Sequence, residues 1–233
     1  MSAADWIEFW DGEHPIYVDA HHAAAHFRRI AEDIRRYAPE DGNGVLMDYG
    51  CGEALSAGLV AEKVGRLILC EPAPNVRAML AGRFAGNPKV VVRKPEDVAT
   101  MAAQSIDVIV MHSVAQYVTP HELDSLFRLF RRLLKPEGLF VLGDIIPRRL
   151  SALADGMQLL RFGSQEGFYG KALRGLIRTR FSNYWKLRKE LGLERYDEGE
   201  IVAKLEAAGF TVQRSRSNIG HNAKRMTFLA HAR

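Results

Sequence analysis

Cysteine is nearly absent from this chain: Cys51 and Cys70 are the only two. So few thiols exclude a disulfide-stapled scaffold, and both fall where an inner sheet is expected, so they should be reduced. No run approaches the roughly 18 consecutive apolar residues of a transmembrane helix. The opening MSAADWIEFWDGEH is acidic and aromatic, unlike a secretory signal, which makes the cytoplasm the expected compartment. Internal repeats and low-complexity tracts are missing, which excludes solenoids and long flexible linkers. No His, Cys and Asp cluster has metal-site spacing. The adjacent pair His21 and His22 would point different ways on a helix, so no metal is expected.

A large charge excess is also lacking. The net charge of +4 excludes a protein that coats nucleic acid over its whole surface. The charge is uneven, however. From Pro147 to Lys189 ten Lys/Arg face only Asp155 and Glu166, so this segment carries about +8 and the remainder about −4. Lys171, Arg174 and Arg178 recur at helical spacing and share a face. The bland reading is the solvated side of a helix over the site; the sharper ones are an anionic substrate, a lipid surface or RNA.

What is present is an alternation. Apolar runs at 45–49, 66–70, 90–93, 106–112 and 139–145 are separated by helical patterns at 54–64, 74–85, 95–103 and 120–134. Continuous apolar strands between helices predict a parallel sheet covered on both faces. Thr119 and Glu122 form a capping box for the helix 120–134, and KPEG (135–138) should stop it and turn into the next strand. Asp19 to Tyr37 reads as an amphipathic helix, behind a leader containing Trp6, Phe9 and Trp10, which are expected mainly to pack. Helices are expected across 151–192 and, behind an Asp197–Glu200 box, across 198–208. Strands at 210–217 and 225–232 follow with no helix between them, so they should pair antiparallel.

Chemistry concentrates in VLMDYGCGEAL (45–55). A buried strand enters Asp48, then Gly50 and Gly52, then the pattern of a helix whose N-terminus would offer free N–H groups. A nicotinamide fingerprint, G-x-G-x-x-G, would need glycine where Leu55 stands. The carboxylate of Asp48 would also repel a pyrophosphate, whereas it suits a cationic ligand. Glu71 ends the next strand, where a carboxylate can accept from two ribose hydroxyls.

With these residues the chain resembles the class I methyltransferases that use S-adenosylmethionine (SAM). Asp48-x-Gly50-x-Gly52, Glu71, Asp107 at the start of the fourth strand, LKPEGLFVL before the fifth, and the final hairpin carry the likeness. It covers roughly 44–146 and 197–233 and is closest to the small-molecule branch that includes the ubiquinone-biosynthesis C-methyltransferases. The resemblance implies an α/β, Rossmann-like, mostly parallel seven-stranded sheet in a single domain. The parts are an N-terminal helical lid (1–38), a SAM-binding core (44–146), a helical insertion (147–192) and a C-terminal helix and hairpin (197–233). It implies SAM as cofactor and S-adenosylhomocysteine as product. Asp48, Tyr49, Gly50, Cys51 and Gly52 would hold the methionine part, and Glu71 with Pro72 the ribose. Glu96 or Asp97 would meet the adenine, the pair otherwise serving as first-turn acids. Tyr17 in the lid segment IYVDAHH (16–22) would reach the cofactor, and His112 would serve as base or acceptor contact. The expected acceptor is a small molecule, with a homodimer compatible with the sequence. Methylation of RNA or lipid through the basic 148–189 segment is the alternative enzyme reading, and a non-catalytic SAM-binding partner the other.

Overall fold

Four of the apolar runs form central strands whose residues serve two cores at once. In β1 (Val45–Tyr49) Leu46 packs on one face while Met47 and Tyr49 pack on the other. The same alternation holds in β2 (Arg66–Cys70), β4 (Ile106–His112) and β5 (Leu134–Ile145). Side chains on alternating faces, all buried, are the signature of a sheet covered by helices on both sides. The computed structural model describes residues 3–12, 17, 19–179 and 192–233.

With β3 (Val90–Arg93), β6 (Phe210–Arg214) and β7 (Met226–Ala232) the sheet has seven strands in the order β3-β2-β1-β4-β5-β7-β6. β1 to β5 run parallel, and β7 pairs antiparallel with both β5 and β6. The expected Rossmann-like sheet and its antiparallel hairpin are both present. The chain winds outward from β1 to β3, then returns to β4 on the other side of β1. The carboxyl ends of β1 and β4 therefore flank a switch point, where open α/β sheets bind ligands.

The helices are α1 (Ala3–Asp11), α2 (Ala20–Ile34), α3 (Gly58–Ala61), α4 (Pro74–Phe84), α5 (Pro95–Ala99) and α6 (Pro120–Leu133), followed by α7 (Ala152–Gln165), α8 (Tyr169–Thr179) and α9 (Glu198–Ala207). Phe127 and Phe130 of α6 and Leu205 of α9 pack on one face of the sheet. Ile34 of α2, Val60 of α3 and Leu80 of α4 pack on the other. The Thr119 box forms as read, each partner accepting from the other's backbone N–H. Among the described residues no helix is long and apolar enough to cross a membrane.

Several local expectations are corrected. The helix expected over 54–64 shrinks to the single turn α3, because Gly50, Gly52 and Ala54 all have positive φ and hold the chain out of the right-handed helix. The helix expected over 95–103 ends at Ala99, where the Thr100 hydroxyl donates to the Asp97 carbonyl and competes with helix continuation. KPEG does not leave the sheet; β5 starts at Leu134, opposite Ile106, and the left-handed Glu137 marks a bulge within the strand. The Asp197 box is not made. Asp197 makes no side-chain capping bond, and Asp197 and Glu200 instead face Arg148 at 3.6 and 2.7 Å. Strand β6 stops at Arg214, three residues earlier than the pattern suggested.

Candidate cofactor and acceptor cavity

A cavity of about 1250 Å³ opens over the switch point. That exceeds the roughly 300–1,000 Å³ of a pocket for one drug-sized ligand, so two reactants fit side by side.

One end is built by the turn after β1. The N–H groups of Gly50 and Cys51 donate to the Cys70 carbonyl at 2.7 and 3.2 Å, folding the turn back over β2. Gly50 has φ +72°, and a Cβ there would lie 2.4 Å from Val114 Cγ2. Glu71 anchors the turn: one carboxylate oxygen accepts from the Gly52 N–H at 2.8 Å and the other from the Ala73 N–H at 2.9 Å. A carboxylate offers about four acceptor sites, so each oxygen keeps one for a ligand hydroxyl. Burial pushes the Glu71 carboxyl up, opposed by the two N–H donors. Burial and the neighbouring Glu71 push Asp48 up to about 7. Two carboxylates in one buried end, one of them half-ionised near neutrality, form a strong attractor for a cationic group. Cys51 and Cys70 are both free and buried; burial raises both thiols, which leaves them inert as nucleophiles.

The other end lies beyond His112, the last residue of β4. Its ring is wedged between Gly143 and Gly220, where a Cβ would come within 3.3 and 3.4 Å of ring atoms, and its Nε2 sits 3.3 Å from the Ile219 carbonyl. Burial lowers its pKa, only partly offset by Asp144, so the imidazole is neutral at neutral pH. Below it runs a buried ionic network. Asp144, left-handed at φ +63°, accepts from Ser113 Oγ, from Asn218 Nδ2 at 3.1 Å and from Arg225 Nη1. Arg225 also donates to Asp155 of α7 at 2.9 Å, and Asn222 donates to Asp155 at 2.6 Å. Burial opposes charge on Asp144, but Arg225, His112 and the donors outweigh it and hold the carboxyl down at about 2.

The roof comes from the leader and the insertion. His22, His26 and Phe27 of α2 and Leu159 of α7 face the cavity. Asp33 ties α2 down by accepting from the Gly220 N–H at 3.0 Å. Lys171 pairs with Asp19 at 2.7 Å, and His21 Nε2 lies 2.9 Å from the Glu166 carbonyl, so insertion and leader meet directly. Trp6 is fully buried with its ring 4.7 Å from that of Tyr117, so it packs as expected while also walling the cavity beside Trp10.

Of the residues singled out from sequence, Tyr17, Asp48, Tyr49, Gly50, Cys51, Gly52, Glu71, Pro72, Glu96 and His112 all line this one cavity. Asp97 does not; it accepts from the Lys94 N–H at the start of its own helix. The glycine turn does not abut a helix N-terminus either, because α3 starts six residues after Gly52 and is one turn long. Asp107 lies at the opposite edge of the sheet, accepting from the Val45 N–H and from Lys135 at 2.8 Å, a structural role. Of the basic segment, Arg180, Lys186, Arg188 and Lys189 lie outside the described residues. Sequence reasoning missed His26, Asp144, His221 and Arg225. Only His26 had a local signal: it stands one turn after His22 on the inward face of an amphipathic helix. Among the described residues no group of three His, Cys, Asp or Glu is arranged to hold a metal ion.

Comparison with known proteins bears on the domain and the fold. A family model described as a methyltransferase domain matches residues 47–142. No curated protein matches the sequence. Among solved structures, a Bordetella parapertussis protein has TM-score 0.59 and 17% identity, over 88% of this chain and 66% of that one. An S-adenosylmethionine-dependent methyltransferase from Mesorhizobium loti has TM-score 0.54 and 14% identity, over 87% and 96%. The magnesium protoporphyrin IX methyltransferase of Synechocystis, solved with bound SAM, has TM-score 0.57 and 12% identity, over 96% and 88%. At these identities the likeness speaks for the fold, and the family model speaks for the domain. Residues 47–142 thus match a methyltransferase domain, and the chain has the Rossmann-like fold of these solved structures.

Proposed function

We propose that this chain transfers the methyl group of SAM to a small-molecule acceptor held in the same cavity. The observation that carries this reading is the continuity of the cavity from Asp48 and Glu71, through the end of β4, to the chamber under α2 and α7. When bound, SAM would supply an electrophilic methyl group on a sulfonium whose sulfur is left as a neutral thioether. The protein's task is then alignment and exclusion of water. Asp48 holds the ammonium group, the turn Tyr49 to Gly52 seats the methionine part, and Glu71 beside Pro72 takes the ribose hydroxyls. Glu96 on the cavity wall serves the adenine end, and Tyr17 closes over the cofactor from the leader. His112 contacts the acceptor at the junction of the two halves. The likeness to the ubiquinone-biosynthesis branch, a homodimer and a cytoplasmic location stay with this proposal as expectations.

The basic insertion supports a small acceptor over RNA or lipid. Arg225 is the only Lys or Arg among the described residues of the cavity wall, while Arg148 and Lys171 are paired with Glu200 and Asp19. Incubation with radiolabelled SAM and separate small-molecule, lipid and RNA pools tests the reading. Label should enter the small-molecule pool; label confined to RNA or vesicles, or to none, contradicts it.

The state of Asp48 makes SAM binding pH-dependent. With the carboxyl at about 7, protons compete with the ligand's ammonium below that pH and not above it. Affinity for S-adenosylhomocysteine should therefore rise from pH 5.5 to about 7 and then level off, and Asp48→Asn should flatten the profile. A profile that is flat or falls over this range in the unmodified protein contradicts the assignment of Asp48 to the ammonium.

A further inference from the structure

The acceptor end of the cavity carries information about what it accepts. Its charged groups are already satisfied. Arg225 is shared between Asp144 and Asp155, Asp144 also accepts from Ser113 and Asn218, and Asp155 also accepts from Asn222. Neither a free cation nor a free carboxylate remains among these groups for a charged acceptor, and burying an unpaired charge beside them is costly. The imidazoles are different. His26 and His221 both face the cavity, their ring centroids 5.7 Å apart, and neither ring has a hydrogen-bond partner among the described residues. Burial lowers the pKa of both, His221 to about 4, so each presents a neutral ring with one lone pair and one N–H. Aromatic rings surround them. Phe162 lies almost parallel to His221 at 4.7 Å and 18°, and Phe27 and Tyr17 sit 5.5 Å from His26. A wall of Tyr17, Phe27 and the two imidazoles, His221 being backed by Phe162, furnished with unpartnered lone pairs, matches a flat ring bearing a hydroxyl donor.

Building on the methyltransferase reading above, we propose that the chamber between α2, α7 and the β6–β7 link binds an uncharged hydroxyaromatic acceptor, with His26 and His221 receiving the hydroxyl hydrogen. In the transfer the hydroxyl oxygen bonds to the methyl carbon as the carbon–sulfur bond breaks, and that bond's electron pair stays on sulfur. The hydroxyl proton, made strongly acidic as the new bond forms, passes to an imidazole nitrogen and then to water. A weakly basic imidazole suffices for a proton released at that stage. His112, whose Nε2 already faces the Ile219 carbonyl, contributes the wall at the junction.

Calorimetry on the full chain saturated with S-adenosylhomocysteine tests this, using phenol, catechol and 2-naphthol as uncharged probes. 3,4-Dihydroxybenzoate and dopamine serve as anionic and cationic counterparts. At least one uncharged probe should bind at least tenfold more tightly than either charged compound. His26→Leu and His221→Leu should each weaken that probe at least fivefold while S-adenosylhomocysteine affinity changes less than twofold. His26→Asn and His221→Asn, which keep an acceptor, should recover part of the loss and cover the case of a leucine variant that does not fold. Preference for a charged compound, no binding of any uncharged probe, or indifference of the probe to all four substitutions overturns the proposal and leaves the methyltransferase reading standing. Failure of S-adenosylhomocysteine itself to bind overturns both.

Discussion

Glu71→Ala should weaken binding of S-adenosylhomocysteine by about 2–3 kcal/mol, roughly 30- to 150-fold, the largest loss expected from any single side chain at the cofactor end. Two effects add. The substitution removes a charged acceptor from the ribose hydroxyls, a class of hydrogen bond worth about 1.5–3 kcal/mol. It also frees the Gly52 and Ala73 N–H groups that the carboxylate fixes at 2.8 and 2.9 Å, so the glycine turn loses its pre-set shape. Glu71→Gln should fall between wild type and alanine, because its amide keeps one acceptor oxygen but turns an N–H₂ toward one of the two donors. Calorimetry with circular dichroism as a folding control decides the matter. An unchanged dissociation constant in a folded Glu71→Ala protein contradicts the role given to this residue.

Gly50→Ala should be the most damaging substitution in the turn for stability. Left-handed backbone costs a residue with a Cβ about 1–2 kcal/mol. Here the Cβ would also meet Val114 Cγ2 at 2.4 Å, and Val, branched at Cβ, cannot swing aside cheaply. Overpacking of this kind adds about 1–3 kcal/mol, for a total of about 3 kcal/mol. For a domain of this size that lowers Tm by about 6–12 °C. Gly52 is the internal comparison: it also has positive φ, at +57°, but a Cβ there meets nothing within 4 Å. Gly52→Ala should therefore cost only the backbone part, about 1–2 kcal/mol. Equal Tm values for the two variants would contradict the steric account.

The contrast between the two ends of the cavity explains what could be read from sequence. The cofactor end is local: Asp48, Gly50 and Gly52 lie within one five-residue stretch at a strand end, and Glu71 directly follows the strand beside it, paired Tyr49 to Cys70. Strand periodicity places these residues on one sheet edge, the turn chemistry disfavours a pyrophosphate, and the resemblance to the class I methyltransferases then implies the ligand. Beyond His112, which ends β4, the acceptor end is assembled from His26, Asp144 and His221, on three elements far apart in the chain. No spacing in the chain announces that Asp144 will be held by an arginine 81 positions away. Asp144 also adopts a left-handed backbone at the end of β5, a conformation that strand propensity does not predict. Where local reading went astray, competing backbone preferences were the cause. The residues after Gly52 have a helical apolar period, but three positive-φ positions delay the helix until Gly58. At Asp197 a distant arginine, Arg148, takes the carboxylates that the sequence pattern assigns to a capping box.

The central claim is that the Asp48–Gly50–Gly52–Glu71 end is built for a cationic nucleoside ligand without phosphates. Titration of the unmodified chain with S-adenosylhomocysteine and, separately, with NADH at about pH 7.5 tests it most directly. The account predicts saturable one-to-one binding of S-adenosylhomocysteine and at least a hundredfold weaker binding of NADH, whose pyrophosphate the two carboxylates repel. NADH binding as tightly as S-adenosylhomocysteine, or more tightly, would contradict it.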